Sequence, residues 1–458
     1  MNPRTLTTLL AALCLATTAL LAHAAPTASM APAAPSADDD ERDVVVLVDG
    51  DELTGRVERP FGAEHLVMIV KGKRREIPRS EVRSTSTVRA RLANWLELVD
   101  PGLDADRNWE LVELASAARL DHMAKLQAYR VLLADPDHEE AHAFLDHKGK
   151  PGKWRWRLDG KLVSSEKFAE EIRDRKSPLV LRSEHYEVHC DGGLERTLDA
   201  AFDLERLYAI WMDEIGSGVD AREMLEPMTV RVHADLENFR PATQHGGPNF
   251  EPGYLLGSTR EYESSLETYL DPNSGRAVRL IDTGVQQLIY NTVLGRKLET
   301  IARDTSAYRE CPILEVGLGD WYERRWEGDP GYGAAGAWRP DRAAAELALR
   351  RANSEPLASA RHELTNLIHV TWNRLMNVDR DRAALVAKCR TFVAFLMEDG
   401  AVLPTGGPAR TRDAVVDLLR TVYGVPTGNS STAWDDVFVV VPIEELELAW
   451  KGWLTLLP

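Results

Sequence analysis

Residues 278–291 read VRLIDTGVQQLIYN and residues 311–326 read CPILEVGLGDWYERRW. In the first stretch Val278, Ile281, Val285, Leu288 and Ile289 recur at the spacing of one helix face, which predicts an amphipathic helix with a buried stripe. Upstream, residues 186–190 and 228–233 read as strands. Residues 194–212 form an amphipathic helix pattern with Leu194, Leu198, Phe202, Leu207 and Trp211 along one side. Residues 264–270 are strand-like, with Leu266 and Tyr269 ahead of an Asp271, Pro272, Asn273 turn, and everything after Ala277 reads as mainly helical. A short mixed sheet followed by helices is an α+β arrangement.

The two quoted stretches lie about 30 residues apart behind those strands. Together they resemble the gluzincin-type zinc metallopeptidases, and most of all a secreted bacterial branch known as a domain of unknown function. In that family the first helix carries H-E-x-x-H-Q and the second P-W-L-x-E-G-L-A-E-Y-F-E. Gln287 matches the first motif, and Pro312, Leu314, Gly317, Leu318 and Glu323 match the second. Asp320, Trp321 and Tyr322 are near-equivalents. The likeness spans roughly residues 183–458 and includes the closing LELAWKGWL. It implies a zincin-like fold with a groove lined by Gln287, Gly317, Asp320, Tyr322 and Glu323.

The departures decide what chemistry is expected. The two histidine positions fall on Asp282 and Gln286, the catalytic glutamate on Thr283 and the glutamate ligand on Val316. A working zinc site needs three protein ligands and an open position for water. Gln286 is a poor neutral ligand, Val316 cannot bind a cation, and Thr283 is no general base at neutral pH. Bound zinc lowers the pKa of its water from about 15.7 to about 7, roughly 12 kcal/mol of hydroxide stabilisation. An Asp–Thr–Gln trio cannot supply that. No histidine lies between His245 and His362, so a shifted alignment does not restore the site. Zinc is therefore expected to be absent, and no residue is assigned a catalytic role. A rival, His362, Glu363 and His369 in ARHELTNLIHVTWN, misses the zincin signature at Asn366. Helical residues seven apart stand about 10 Å apart along the axis, too far to share one zinc without strain.

Ahead of this domain the chain changes character several times. Residues 1–24 combine Arg4, an apolar run over 9–21 and the small-x-small pattern Ala22, His23, Ala24. This is the pattern of a signal peptide cleaved near Ala24, with an apolar run too short to span a bilayer. Residues 25–42 form an Ala/Pro/Ser/Asp linker. Residues 43–88, with D-G and K-G-K turns between short apolar runs, resemble the SH3-like or Sm-like small antiparallel β-barrels. Residues 89–148 resemble one tetratricopeptide hairpin, which cannot bury its own face and is expected to pack on its neighbour. There His138 and His142 share a helix face among acidic residues, which predicts a solvated surface. Residues 149–182 form a Trp-rich hairpin and connector with Trp154, Trp156 and an Asp159-Gly160 turn.

The 458 residues carry a formal charge of −17 and no strong basic cluster, so nucleic acid is a poor partner. Cys190, Cys311 and Cys389, widely spaced, allow at most one bridge or three buried thiols. Nucleophile-elbow, phosphate-loop and dinucleotide motifs are missing. The expectation is an exported, secreted or periplasmic, α+β multidomain protein without a membrane span. It would be a pseudopeptidase that binds a peptide or protein, with 264–270 as the strand that pairs with extended peptide, or an envelope scaffold whose cleft has filled. The alternative is an active secreted metallopeptidase or other hydrolase using unorthodox ligands.

Overall fold

The computed structural model describes residues 42–100, 102–158, 161–173, 178–243, 266–294, 311–326, 363–371, 375, 382–398, 411–424, 433–434, 437 and 443–457. The expected signal peptide, nearly all of the linker, Asp159, Gly160, residues 264–265, His362 and the glycine-rich stretch 328–338 lie outside the described residues.

Alternating residues of a strand share one face, and Val45, Val57, Leu66, Met68 and Ile77 turn inward to build a small core of their own. The strands are β1 (Asp43–Leu47), β2 (Glu52–Arg59), β3 (His65–Val70), β4 (Lys73–Pro78) and β5 (Val82–Ser86). Lys71 and Gly72 both have positive φ, 48° and 71°, the pair a tight β3–β4 hairpin turn requires. The antiparallel order is β4-β3-β2-β1-β5. This corrects the expectation of a closed barrel. The single 3-10 turn Arg79–Glu81 carries the chain from β4 to the free edge of β1, and β4 and β5 do not pair among the described residues. Asp43 ties this sheet to the helix that begins at Val88. Its carboxylate accepts the Val57 N–H at 2.7 Å and the Val88 N–H at 2.6 Å.

Four helices come next: α1 (Val88–Leu96), α2 (Ala105–Ala117), α3 (Asp121–Ala134) and α4 (Glu139–Phe144). The Thr87 hydroxyl caps α1 through the Ala90 N–H at 3.1 Å, and Asp104 caps α2 through the Arg107 N–H at 2.9 Å, each satisfying an orphan donor of a first turn. Strands β6 (Arg155–Leu158) and β7 (Lys161–Ser164) form the expected hairpin, followed by α5 (Ser165–Arg173). The hairpin reorganises the histidines. Instead of facing solvent, His142 is fully buried and His147 is 4% exposed. Trp154 stacks on His142 with centroids 4.1 Å apart, and Trp156 stacks on His147 at 4.9 Å. Glu139 and Glu140 keep their charge in water on the outer side of the same short helix.

The second sheet holds β8 (Leu179–Arg182), β9 (Tyr186–Cys190), β10 (Met228–His233) and β11 (Leu266–Tyr269) in the order β11-β10-β9-β8. β9, β10 and β11 run parallel and β8 is antiparallel to β9, so the protein is mixed α+β. Helix α6 (Gly193–Trp211) lies between β9 and β10 in sequence and α7 (Leu236–Thr243) between β10 and β11. Then come α8 (Leu280–Leu288), α9 (Pro312–Trp326), α10 (Glu363–Ile368), α11 (Arg382–Met397), α12 (Thr411–Leu419) and α13 (Ile443–Leu456). One hydrophobic core runs from Leu92 to Leu454 and includes the α1–α3 face. Trp95 meets Phe202 at 6.0 Å, and Arg206 donates to the carbonyls of Leu96 and Val99 at 3.1 Å. No helix among the described residues is long and apolar enough to cross a membrane.

Candidate functional site

The site is set by an abrupt change from strand to helix. Val278 donates to the Tyr269 carbonyl at 2.8 Å, an extended pairing, and α8 begins two residues later. Arg279 makes that turn in the left-handed region, φ 51°, ψ 36°, a conformation that costs a bulky residue roughly 1–2 kcal/mol. Its neighbours hold it there. The Arg279 carbonyl accepts the Thr283 N–H at 3.1 Å and the Thr283 hydroxyl at 2.9 Å, while its guanidinium pairs with the Asp282 carboxylate.

Asp282 and Thr283 have no exposed surface, and Gln286 and Gln287 are 1% exposed. The Asp282 N–H donates to Glu323 Oε2 at 2.9 Å, and Gln286 Nε2 lies 3.4 Å from Asp282 Oδ1. Helix α9 crosses α8 at backbone distance. A Cβ on Gly319 would overlap the Asp282 carboxylate, coming within 2.8 Å of Cγ and 3.0 Å of its backbone oxygen. Gly317 is equally tight on α11, where a Cβ would overlap Val393 and approach the Cys389 carbonyl to 2.8 Å. Val316 is fully buried between these contacts. The residues present do not fit a zinc ion. Of the ligand positions the resemblance implies, Asp282 is paired with Arg279 and covered by Gly319, and Val316 is hydrocarbon. Among the described residues no group of three or more His, Cys, Asp or Glu is placed to hold a metal.

The remaining positions of the second motif are engaged in packing. Tyr322 is fully buried and donates to Glu214 at 3.0 Å. The same Glu214 takes a two-pronged pair from Arg325 at 2.9 Å and a contact from Arg412 at 3.1 Å. Burial and the Glu214 charge push the Tyr322 hydroxyl well above the usual phenol range. Asp320 is 6% exposed and lies between Arg324 at 3.4 Å and Arg390 at 3.2 Å. Glu315 accepts the Cys311 N–H at 3.0 Å and the Tyr423 hydroxyl, closing the start of α9.

Open space lies to one side of this position. A cavity of about 560 Å³ is bounded by α6, the 270–281 turn and the end of α9. Arg196, Asp199 and Asp203 present one face of α6 to it, at the spacing that places residues three, four and seven apart together. Arg276, Arg279, Glu323 and Trp326 complete the charged and aromatic wall. Of the five expected groove residues only Glu323 lines it. Of the four degenerate motif positions none does. No protein-family model matches this chain, and no curated protein matches it. Geometry alone therefore defines the site.

Asp203 is the residue that sequence reasoning missed. The Trp326 indole N–H donates to it at 3.4 Å, and burial pushes its carboxyl up to about 6, opposed by the Arg276 charge and reinforced by Asp199. Nothing sets it apart among the 72 Asp and Glu residues of the chain. The one available signal was position: it follows Phe202 within the strongly patterned helix and belongs to the polar face opposite the buried stripe.

Proposed function

We propose that the chain is an exported, non-catalytic metallopeptidase-like protein in which binding and assembly have replaced hydrolysis. The observation that carries this reading is the seating of Gly319 against Asp282. Where a working zincin needs three ligands, a water and access for a scissile bond, this chain has two helices in contact around a neutralised carboxylate. The former cleft has become an interior, which favours the scaffold reading over a peptide held at the old catalytic position. Two features support the accessory parts of this picture. β1 pairs with both β2 and β5 around a separate small core, consistent with an SH3-like module. The hairpin α2–α3 buries its face on α6 through the shared core, consistent with a lone tetratricopeptide-like unit serving as a brace.

The test combines metal content with turnover. Purified protein is expected to carry no stoichiometric zinc and to leave casein and labelled peptides intact with or without chelator. One tightly bound zinc lost on mutating Asp282, or chelator-sensitive cleavage, overturns the proposal. A second reading, ligand binding beside the old site, is favoured by the 560 Å³ cavity, a volume in the range of small-molecule sites.

A further inference from the structure

The cavity beside α8 carries an excess of negative charge. Its wall holds the carboxylates of Glu195, Asp199, Asp203, Asp271 and Glu323 against three guanidiniums, those of Arg196, Arg276 and Arg279, a formal balance of five against three. Two of the three positive groups are paired within the protein, while the charge of the third, Arg276, acts on Asp203. Arg279 pairs with Asp282 beneath the wall, and Arg196 lies 3.2 Å from Asp199. The start of α8 does not present donors to an anion either: the Asp282 N–H goes to Glu323 and the Thr283 N–H to the Arg279 carbonyl. On the acidic side, Asp271 is spent on its own turn, accepting the Ser274 N–H at 3.0 Å and the Ser274 hydroxyl at 2.7 Å. Asp203 differs. Among the described residues it makes no ion pair, and its hydrogen-bond partner is the long contact from Trp326. Burial disfavours its charged form, and the charges of Arg276, in the same wall, and Arg206 only partly offset this.

We propose that this cavity binds an alkylammonium group, carried by an aliphatic diamine or by a lysine side chain, with the Asp203 carboxylate as counter-ion and the Trp326 indole beside it. An ammonium offers three donors and a compact charge to this half-buried carboxylate. An aromatic ring within about 6 Å of such a cation adds to the attraction. The apolar remainder of the wall, Leu270, Val278, Leu280 and Ile281, suits the methylene chain behind the charge. The inference goes beyond the non-catalytic reading and does not depend on it, because the cavity lies beside the closed position.

The experiment uses the mature chain and calorimetric titration near neutral pH with three probes: 1,5-diaminopentane, Nα-acetyl-lysine amide and a lysine-centred tripeptide. One saturable site for at least one amine is expected. Preference for the diamine marks a free amine as the source, and preference for the tripeptide marks a protein side chain. Asp203→Asn should weaken binding about tenfold or more, the equivalent of about 1.4 kcal/mol, while Asp106→Asn on the exposed face of α2 should leave it unchanged. The wild-type protein supplies a readout independent of any variant. Binding should weaken as pH falls through about 6, where Asp203 takes up a proton that competes with the ligand. Absence of saturable binding by all three probes to folded protein overturns the proposal. So does binding that is insensitive both to Asp203→Asn and to pH, or preferential binding of succinate, which would make this an arginine-dominated anion site.

Discussion

Gly319→Ala is the most direct probe of the closed position, since it adds one methyl group between α8 and α9. In an exposed helix interior this change stabilises by about 1 kcal/mol, because glycine loses more backbone entropy on folding than alanine. Here the new Cβ overlaps the Asp282 carboxylate and comes within 3.0 Å of the Asp282 carbonyl oxygen. The backbone oxygen cannot swing away, so the helices must separate, an overpacking cost of about 1–3 kcal/mol. Displacing Asp282 also loosens its buried pair with Arg279. Complete loss of one partner of such a pair costs about 3–5 kcal/mol, and a partial displacement a fraction of that. The sum is a net destabilisation of about 3 kcal/mol. For a cooperative unit of this size that lowers Tm by roughly 3 °C, at about 1 °C per kcal/mol. Thermal unfolding followed by circular dichroism measures it. Gly452→Ala in α13 is the control: nothing lies within 4 Å of its added methyl, so that variant should gain up to about 1 kcal/mol. If Gly319→Ala matches Gly452→Ala, α8 and α9 are not in backbone contact, and the proposal that a metal position once lay between them and has closed loses its support.

Three further outcomes are expected. His142 Nε2 donates to the Pro136 carbonyl at 2.8 Å and its Nδ1 lies 2.9 Å from His147 Nδ1, and burial favours the neutral form of both rings. Burial and the neighbouring imidazole hold His147 down at about 4 against an ordinary 6.5, while Asp146 and Arg157 oppose each other across it. The unfolded chain therefore binds protons first, and stability present above pH 6.5 should fall as pH drops toward 4; tryptophan fluorescence of the Trp154–Trp156 hairpin reports it, and a profile unchanged in His147→Gln would refute the assignment. The buried His185–Glu205 pair, at 2.7 Å with a second bond of 2.6 Å to the His185 N–H, should make Glu205→Gln destabilising by about 3–5 kcal/mol in denaturant titration. Cys190, Cys311 and Cys389 are free and buried, and burial raises all three thiols, Cys389 to about 12; a thiol reagent should label them only after denaturant is added, and rapid labelling of the native chain would contradict their burial.

The sequence by itself determined what depends on residue type and on local period. Tyr186–Cys190 and Met228–His233 are strands where the apolar pattern placed them, and Ile281, Val285, Leu288 and Ile289 are buried in α8 and its continuation. Val278, however, lies in extended chain ahead of the helix, and α8 is buried on every side rather than along one stripe. The unsuitability of Val316 as a metal ligand was equally legible, since no fold gives an isopropyl group a lone pair. Tertiary structure alone decided how these pieces meet. His138 and His142 read as solvated because their sequence neighbours are acidic, but stacking on Trp154 removes His142 from water, and Trp156 covers His147 beside it. The closed position depends on residues 282 and 319, and the cavity on residues 203, 276 and 326. Such separations leave no periodic trace, because hydrogen bonding and amphipathic spacing act over a few residues, whereas the distance between two helices is set by every side chain packed between them.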